Sequence, residues 1–212
     1  MSDKCDWSER FEQFLSEQEE GDPAHDLAHI QRVVRNARLL TQVEGADWTV
    51  VMPAAWLHDC VFVAKDSPQR REASRLSADR AVALLQDWGY PDLDEEAVHH
   101  AITAHSFSAE VETQTLEAQV LQDADRIDAL GAVGLSRCLM LGGHMGSELM
   151  SPKDPFCEER TPDDSRFSID HFYRKLLRLE ETMKTKAGRA LAGERTDVLR
   201  EFLAQLRRET EG

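Results

Sequence analysis

The chain carries the dipeptide His-Asp twice, as His25-Asp26 and as His58-Asp59, and the two copies keep different company. The first lies in the mixed turn from Gly21 to Asp26, where Asp26 is most simply a helix N-cap. The second follows the apolar run Met52-Pro-Ala-Ala-Trp-Leu57, so its side chains emerge from a core wall. An imidazole and a carboxylate brought together there incur a desolvation cost that a divalent cation compensates. The competing reading is a core histidine hydrogen-bonded to the adjacent helix end. Further donors flank the pair, each beside apolar residues: His29 before it, and Asp123, Asp125 and Asp128 after it. One His, a His-Asp pair and a later Asp form a mixed nitrogen and oxygen set. It suits manganese, iron, cobalt, nickel or zinc better than calcium, and leaves positions for water and substrate.

These donors must be delivered by helices, because apolar residues recur at spacings of three and four and no useful alternating pattern occurs. Helices are expected over Ser8 to Gln18, Asp26 to Val43, a stretch capped by Asp47 and ending near His58, Ala73 to Trp88, Asp94 to His105, and two within Thr115 to Met140. Pro53 is expected to be tolerated only in a first turn or at a kink. Gly89-Tyr-Pro91 reads as a helix stop. Residues 142–168 turn rich in Gly, Pro and acids and read as a loop or lid, followed by helices over Ile169 to Lys184 and Arg189 to Arg208. The fold is therefore expected to be all-α.

At 212 residues and 41% hydrophobic content the chain suits one domain, 1–212, with its core over about 20–140 and C-terminal helices over 169–210. Forty acidic against 25 basic residues argue against holding long nucleic acid by phosphate neutralisation, but not against a small anionic substrate. The four cysteines have no C-x-x-C spacing and read as buried free thiols, which fits a reducing cytoplasm. No secretory pattern opens the chain and no apolar run reaches membrane-spanning length, so a cytoplasmic protein without membrane partners is expected.

The ordered pattern resembles the HD-domain metal-dependent phosphohydrolase superfamily, an all-α helical bundle defined by H…HD…D. The segments Lys65-Asp-Ser-Pro-Gln-Arg70-Arg71, Ala104-His-Ser-Phe-Ser108 and Gln122 to Gly131 are similar to a bacterial branch of small HD hydrolases. The resemblance implies His29, His58, Asp59 and Asp125 as metal ligands, with Asp123 the runner-up to Asp125. Asp128 would hold a ligand His or Arg126 from behind. It implies Lys65, Arg70, Arg126 and Lys175 as cations offsetting phosphate charge, and Asp66 as a group acting on water or holding Lys65. Asp59, Lys65 and His105 are then the catalytic candidates. For His105, a second metal, proton donation and substrate contact all stay open.

The implied substrate is a nucleotide or another small phosphorylated metabolite, including a nucleoside triphosphate cleaved to monophosphate and pyrophosphate. The implied cofactor is a divalent transition metal, with magnesium as a companion of the substrate, in a monomer or homodimer. The acidic Glu-Asp pair that alarmone hydrolases carry three and four residues after HD is replaced by Phe62 and Val63, which argues against that activity. Two competing readings are a catalytically idle metal-binding module that senses a nucleotide or binds a partner, and a structural helical protein.

Overall fold

The computed structural model describes residues 7–17, 27–63, 67, 69–106 and 109–211. Among these the chain is all-α, with an isolated bridge between Glu148 and Phe167 as the one extended pairing. No helix among the described residues is long and apolar enough to cross a membrane. The chain clusters into two compact units, Met1–Asp125 and Arg126–Gly212.

The first unit contains α1 (Trp7–Ser16), α2 (Leu27–Glu44), α3 (Trp48–Leu57), α4 (Ala73–Trp88) and α5 (Glu95–His105). Most of α6 (Leu116–Asp128) belongs to it as well. Its centre is α3, which is apolar on every side and buries Val50, Val51 and Pro53 through Leu57. A helix without a polar face must be surrounded, and α3 packs against α1, α2, α4 and α5. Its end therefore delivers His58 into the interior. Asp47 caps α3 by accepting from the Thr49 amide at 2.8 Å, and Asp94 caps α5 through the Ala97 amide at 3.0 Å. At the end of α4, Gly89 takes the left-handed conformation, φ 66°, which stops the helix without strain.

Pro53 lies beyond the first turn of α3. It lacks the N–H that would bond the carbonyl of Thr49, four residues back. The Tyr90 hydroxyl supplies that bond instead, donating to the Thr49 carbonyl at 3.2 Å. Burial, together with the Asp47 charge, pushes the Tyr90 phenol up to about 12, so it remains a donor. Tyr90 is held by edge contact with Trp7, ring centroids 4.8 Å apart, in a cluster that also contains Phe11 and Trp88. Tyr90→Phe is expected to cost about 1 kcal/mol in denaturant unfolding. In a Pro53→Ala background the cost should shrink, because Ala at 53 can donate to Thr49 itself. Equal costs in both backgrounds would rule out this compensation.

The second unit contains the end of α6, then α7 (Gly131–His144), α8 (Asp170–Arg174) and α9 (Lys186–Glu211), with α7 packed on α9. The loop expected from 142 begins later, since α7 continues through Gly142 and Gly143. It folds on itself: the Asp154 carboxylate accepts from the amides of Glu158, Glu159 and Arg160 at 3.0, 2.9 and 3.1 Å. The Ser168 amide donates to the Glu148 carbonyl at 2.9 Å. The single helix expected over Ile169 to Lys184 is instead α8 followed by 3-10 turns at Leu176–Arg178 and Glu180–Thr182. The backbone leaves the helical region at Lys175, φ −133°, while Leu176, Leu179 and Met183 remain buried. Cys60, Cys138 and Cys157 are free thiols.

Candidate metal centre

Four helices of the first unit each bring a donor to one place. His29 stands in the first turn of α2 on its buried face with Ile30 and Val33, and is 3% exposed. His58 caps the C-terminus of α3 and is fully buried, with Asp59 in the turn that follows. His105 is the last residue of α5. Asp125 projects from α6.

His29 Nε2 lies 3.5 Å from Asp125 Oδ1, and His58 Nε2 lies 3.7 Å from Asp59 Oδ2. The other Asp59 oxygen is 3.6 Å from His105 Nε2. The His58 ring meets those of His29 and His105 edge-on, at centroid separations of 5.7 and 4.9 Å. Two overlapping donor triplets result, His29-His58-Asp125 and His58-Asp59-His105, each with its ligand atoms within 4.8 Å of one another.

Helix ends fix the ring orientations. The last carbonyls of a helix have no amide partner within it, and side chains can take their place. His58 Nδ1 donates to the Ala55 carbonyl at 2.9 Å, and His105 Nδ1 donates to the Ile102 carbonyl at 2.5 Å. A ring nitrogen facing a carbonyl must carry the proton, so Nε2 of the neutral ring presents a lone pair to the site. His58 Nε2 is buried and has no hydrogen-bond partner among the described residues. An unsatisfied buried acceptor costs about 1–3 kcal/mol, and a cation beside it removes that cost. This orphaned nitrogen, with the carboxylates of Asp59 and Asp125, fits a divalent metal.

Electrostatics agree with the donor geometry. Burial holds His58 down at about 4, outweighing the Asp59 charge, so it is a neutral donor at pH 7. His105 is pushed down by burial, but its contact with Asp59 and the charge of that carboxylate outweigh this and raise it above the ordinary histidine value. Two helix C-termini and two carboxylates converge, making the place attractive to positive charge.

Two buried amides brace this arrangement. Asn36 Nδ2 on α2 donates to the Ala124 carbonyl of α6 at 3.2 Å. Gln122 Nε2 on α6 donates to the Ala104 carbonyl of α5 at 2.8 Å. Sequence reasoning passed over Asn36, although a polar residue seven positions after His29 returns to the same helix face. Gln122 opens the segment Gln122 to Gly131, in which the resemblance assigns roles to acidic and basic residues alone.

Lys65, Asp66 and the His25-Asp26 pair lie outside the described residues. Arg70 Nη1 donates to the Val63 carbonyl at 3.0 Å, tying down the segment after the His-Asp pair. Asp123 is fully buried, and the α6 carboxylate within the donor triplets is that of Asp125. In the second unit, Asp128 accepts from Arg137 at 2.6 Å, Arg126 donates to the Thr182 carbonyl at 3.0 Å, and Lys175 is exposed at the end of α8. His99 meets Asp79 at 2.9 Å and His100 accepts from the Gln114 amide at 3.0 Å, both outside the triplets.

A family model described as HD domain matches residues 26–130. YpgQ of Bacillus subtilis strain 168 is 33% identical over 192 residues, which span 89% of this chain and 85% of that protein. The crystal structure of Bacillus subtilis YpgQ in complex with ADP is similar with a TM-score of 0.73 at 32% identity, covering 97% of this chain and 98% of that one. The crystal structure of a HD-superfamily hydrolase from Bacillus thuringiensis has a TM-score of 0.75 at 28% identity, covering 96% of each chain.

Proposed function

This chain belongs to the HD-domain family, and from that membership we propose that it is a divalent-metal-dependent phosphohydrolase acting on a nucleotide. The reaction we assign is cleavage of a nucleoside triphosphate to monophosphate and pyrophosphate. The observation that carries the metal half of this reading is His58 Nε2, a buried lone pair with no hydrogen bond among the described residues, facing two carboxylates. The nucleotide half is supported by the similar YpgQ, whose crystal structure is a complex with ADP.

His29, His58, Asp59 and Asp125 would hold the ion, which when bound supplies Lewis acidity for a phosphoryl oxygen and acidifies water. The chain's own groups do the rest. The Ala55 carbonyl locks the His58 tautomer, keeping Nε2 a donor atom toward the centre. With Nδ1 bonded to the Ile102 carbonyl, His105 in its cationic form would carry a second proton at Nε2, 3.6 Å from Asp59 Oδ1, for the leaving oxygen. Lys65 and Arg70, on the segment after the His-Asp pair, offset charge building on the phosphate.

The test is a screen of nucleoside mono-, di- and triphosphates with added manganese, cobalt or nickel, with Asp59→Ala as control. Metal-dependent release of pyrophosphate from a triphosphate, absent in the control, is the expected result. Release of orthophosphate alone would replace the assigned reaction by stepwise phosphate removal. No release from any nucleotide, with metal and nucleotide both bound, would instead identify a sensing module.

A further inference from the structure

We propose that Asn36 and Gln122 are positioning residues for this centre: buried side-chain amides that clamp the backbone one residue before Asp125 and one residue before His105. The inference rests on the metal reading above and adds the devices that set its geometry. Asn36 is 6% exposed and Gln122 is 4% exposed, in α2 and α6, where Ile30, Val33, Ala37 and Leu40, and Val120, Leu121 and Ala124, are buried with them. Burying an amide is unfavourable unless it is bonded, and a leucine of similar volume would fill either place without that penalty. Packing therefore does not account for the two amides; the bonds from Asn36 Nδ2 and Gln122 Nε2 offset part of the penalty, Gln122 Oε1 being buried with no hydrogen-bond partner among the described residues. Asn36 reaches from α2 to the Ala124 carbonyl, and Gln122 reaches from α6 to the Ala104 carbonyl, so two bonds link α2 to α6 and α6 to α5.

Such bonds fix register. An apolar helix contact tolerates small slides and rotations, but a hydrogen bond is lost outside a narrow distance and angle. A slip of one residue along α6 moves a side chain by about 1.5 Å and turns it by about 100°. That turn would carry the Asp125 carboxylate away from His29 Nε2, now 3.5 Å distant. The Ala104 carbonyl lies in the last turn of α5, where no helical amide can reach it, so Gln122 also secures the helix end that carries His105. Asn36 thus governs a proposed ligand, and Gln122 governs a residue proposed to carry a proton.

This division makes the roles separable in the full chain, with manganese as the probe in a chelator-competition titration. Asn36→Leu is expected to weaken manganese binding about 10- to 100-fold, the range seen when partners behind metal ligands are removed. Asn36→Ala, which adds no bulk, should give the same shift if the leucine variant fails to fold. Gln122→Leu should leave manganese affinity within about threefold of the parent while lowering kcat more than about tenfold. Leu40→Ala, destabilising the same face of α2, and Thr41→Val, removing a buried hydroxyl that has no partner among the described residues, should both bind manganese normally. Parent-like affinity in the Asn36 variants would overturn the inference while leaving the metal reading intact. So would losses in Leu40→Ala that match the Asn36 variants at equal loss of thermal stability. A parent protein that binds no manganese would instead overturn the metal reading, and the inference with it.

Discussion

Asp59→Asn is expected to lower divalent-metal affinity by more than about 100-fold and to remove metal-dependent nucleotide turnover, while the metal-free protein keeps its helical content and melting temperature. Partners that merely hold a ligand are worth about 10- to 100-fold, so loss of a direct carboxylate should exceed that. The substitution is close to isosteric, and the Asp59 side chain is 26% exposed, so no core volume disappears. It replaces a charged donor placed 3.7 Å from His58 and 3.6 Å from His105 by a neutral amide. His58→Ala would lose metal as well, but it would also open a cavity at a fully buried position and confuse folding with function. Metal titration, circular dichroism and a turnover assay on the Asp59 variant separate the two. A variant that melts early and also loses metal would mean that Asp59 acts through the fold.

Arg160→Met is expected to be the most damaging single change to stability in the second unit. Asp170 is fully buried, and its carboxylate accepts from both terminal nitrogens of Arg160, Nη2 at 2.7 Å, and from the Asp163 amide at 2.6 Å. The same arginine donates through Nε to the Asp154 carbonyl at 2.9 Å, tying the loop to the start of α8. Removing one partner of a buried pair leaves a charge without compensation, at about 3–5 kcal/mol. Arg160 retains some exposure, so the lower end applies: about 3 kcal/mol, or a fall of about 6–12 °C in melting temperature for a chain of this size. Adding Asp170→Asn should recover part of the loss, because the stranded charge goes with it. A double variant as unstable as the sum of the singles would mean that the pair is not coupled.

What the sequence made legible follows from local chemistry. Asp47 caps its helix as read, the helix expected from Asp94 starts at Glu95 with Asp94 as its cap, and α4 runs from Ala73 to Trp88 because Gly89 can adopt the left-handed turn that ends it. The donor candidates were legible because histidine and aspartate beside apolar residues are conspicuous. Contacts between helices were harder to foresee. Nothing local to Asp59 announces that its second oxygen faces His105, or that Tyr90 takes over the hydrogen bond Pro53 cannot make. The 169–184 segment misled for a related reason. Leu176, Leu179 and Met183 are spaced as on a helix, and a chain of short 3-10 turns buries the same three residues.

The central claim is that His29, His58, Asp59 and Asp125 hold a metal. Its most direct test is elemental analysis of the full-length protein, purified without chelator and loaded with manganese before extensive dialysis. About one transition-metal ion per chain in the parent, and a small fraction of that in Asp59→Asn, is the result predicted by the buried nitrogen of His58 and the two carboxylates around it. Equal substoichiometric metal in both proteins would contradict it, and would leave these histidines as buried structural residues.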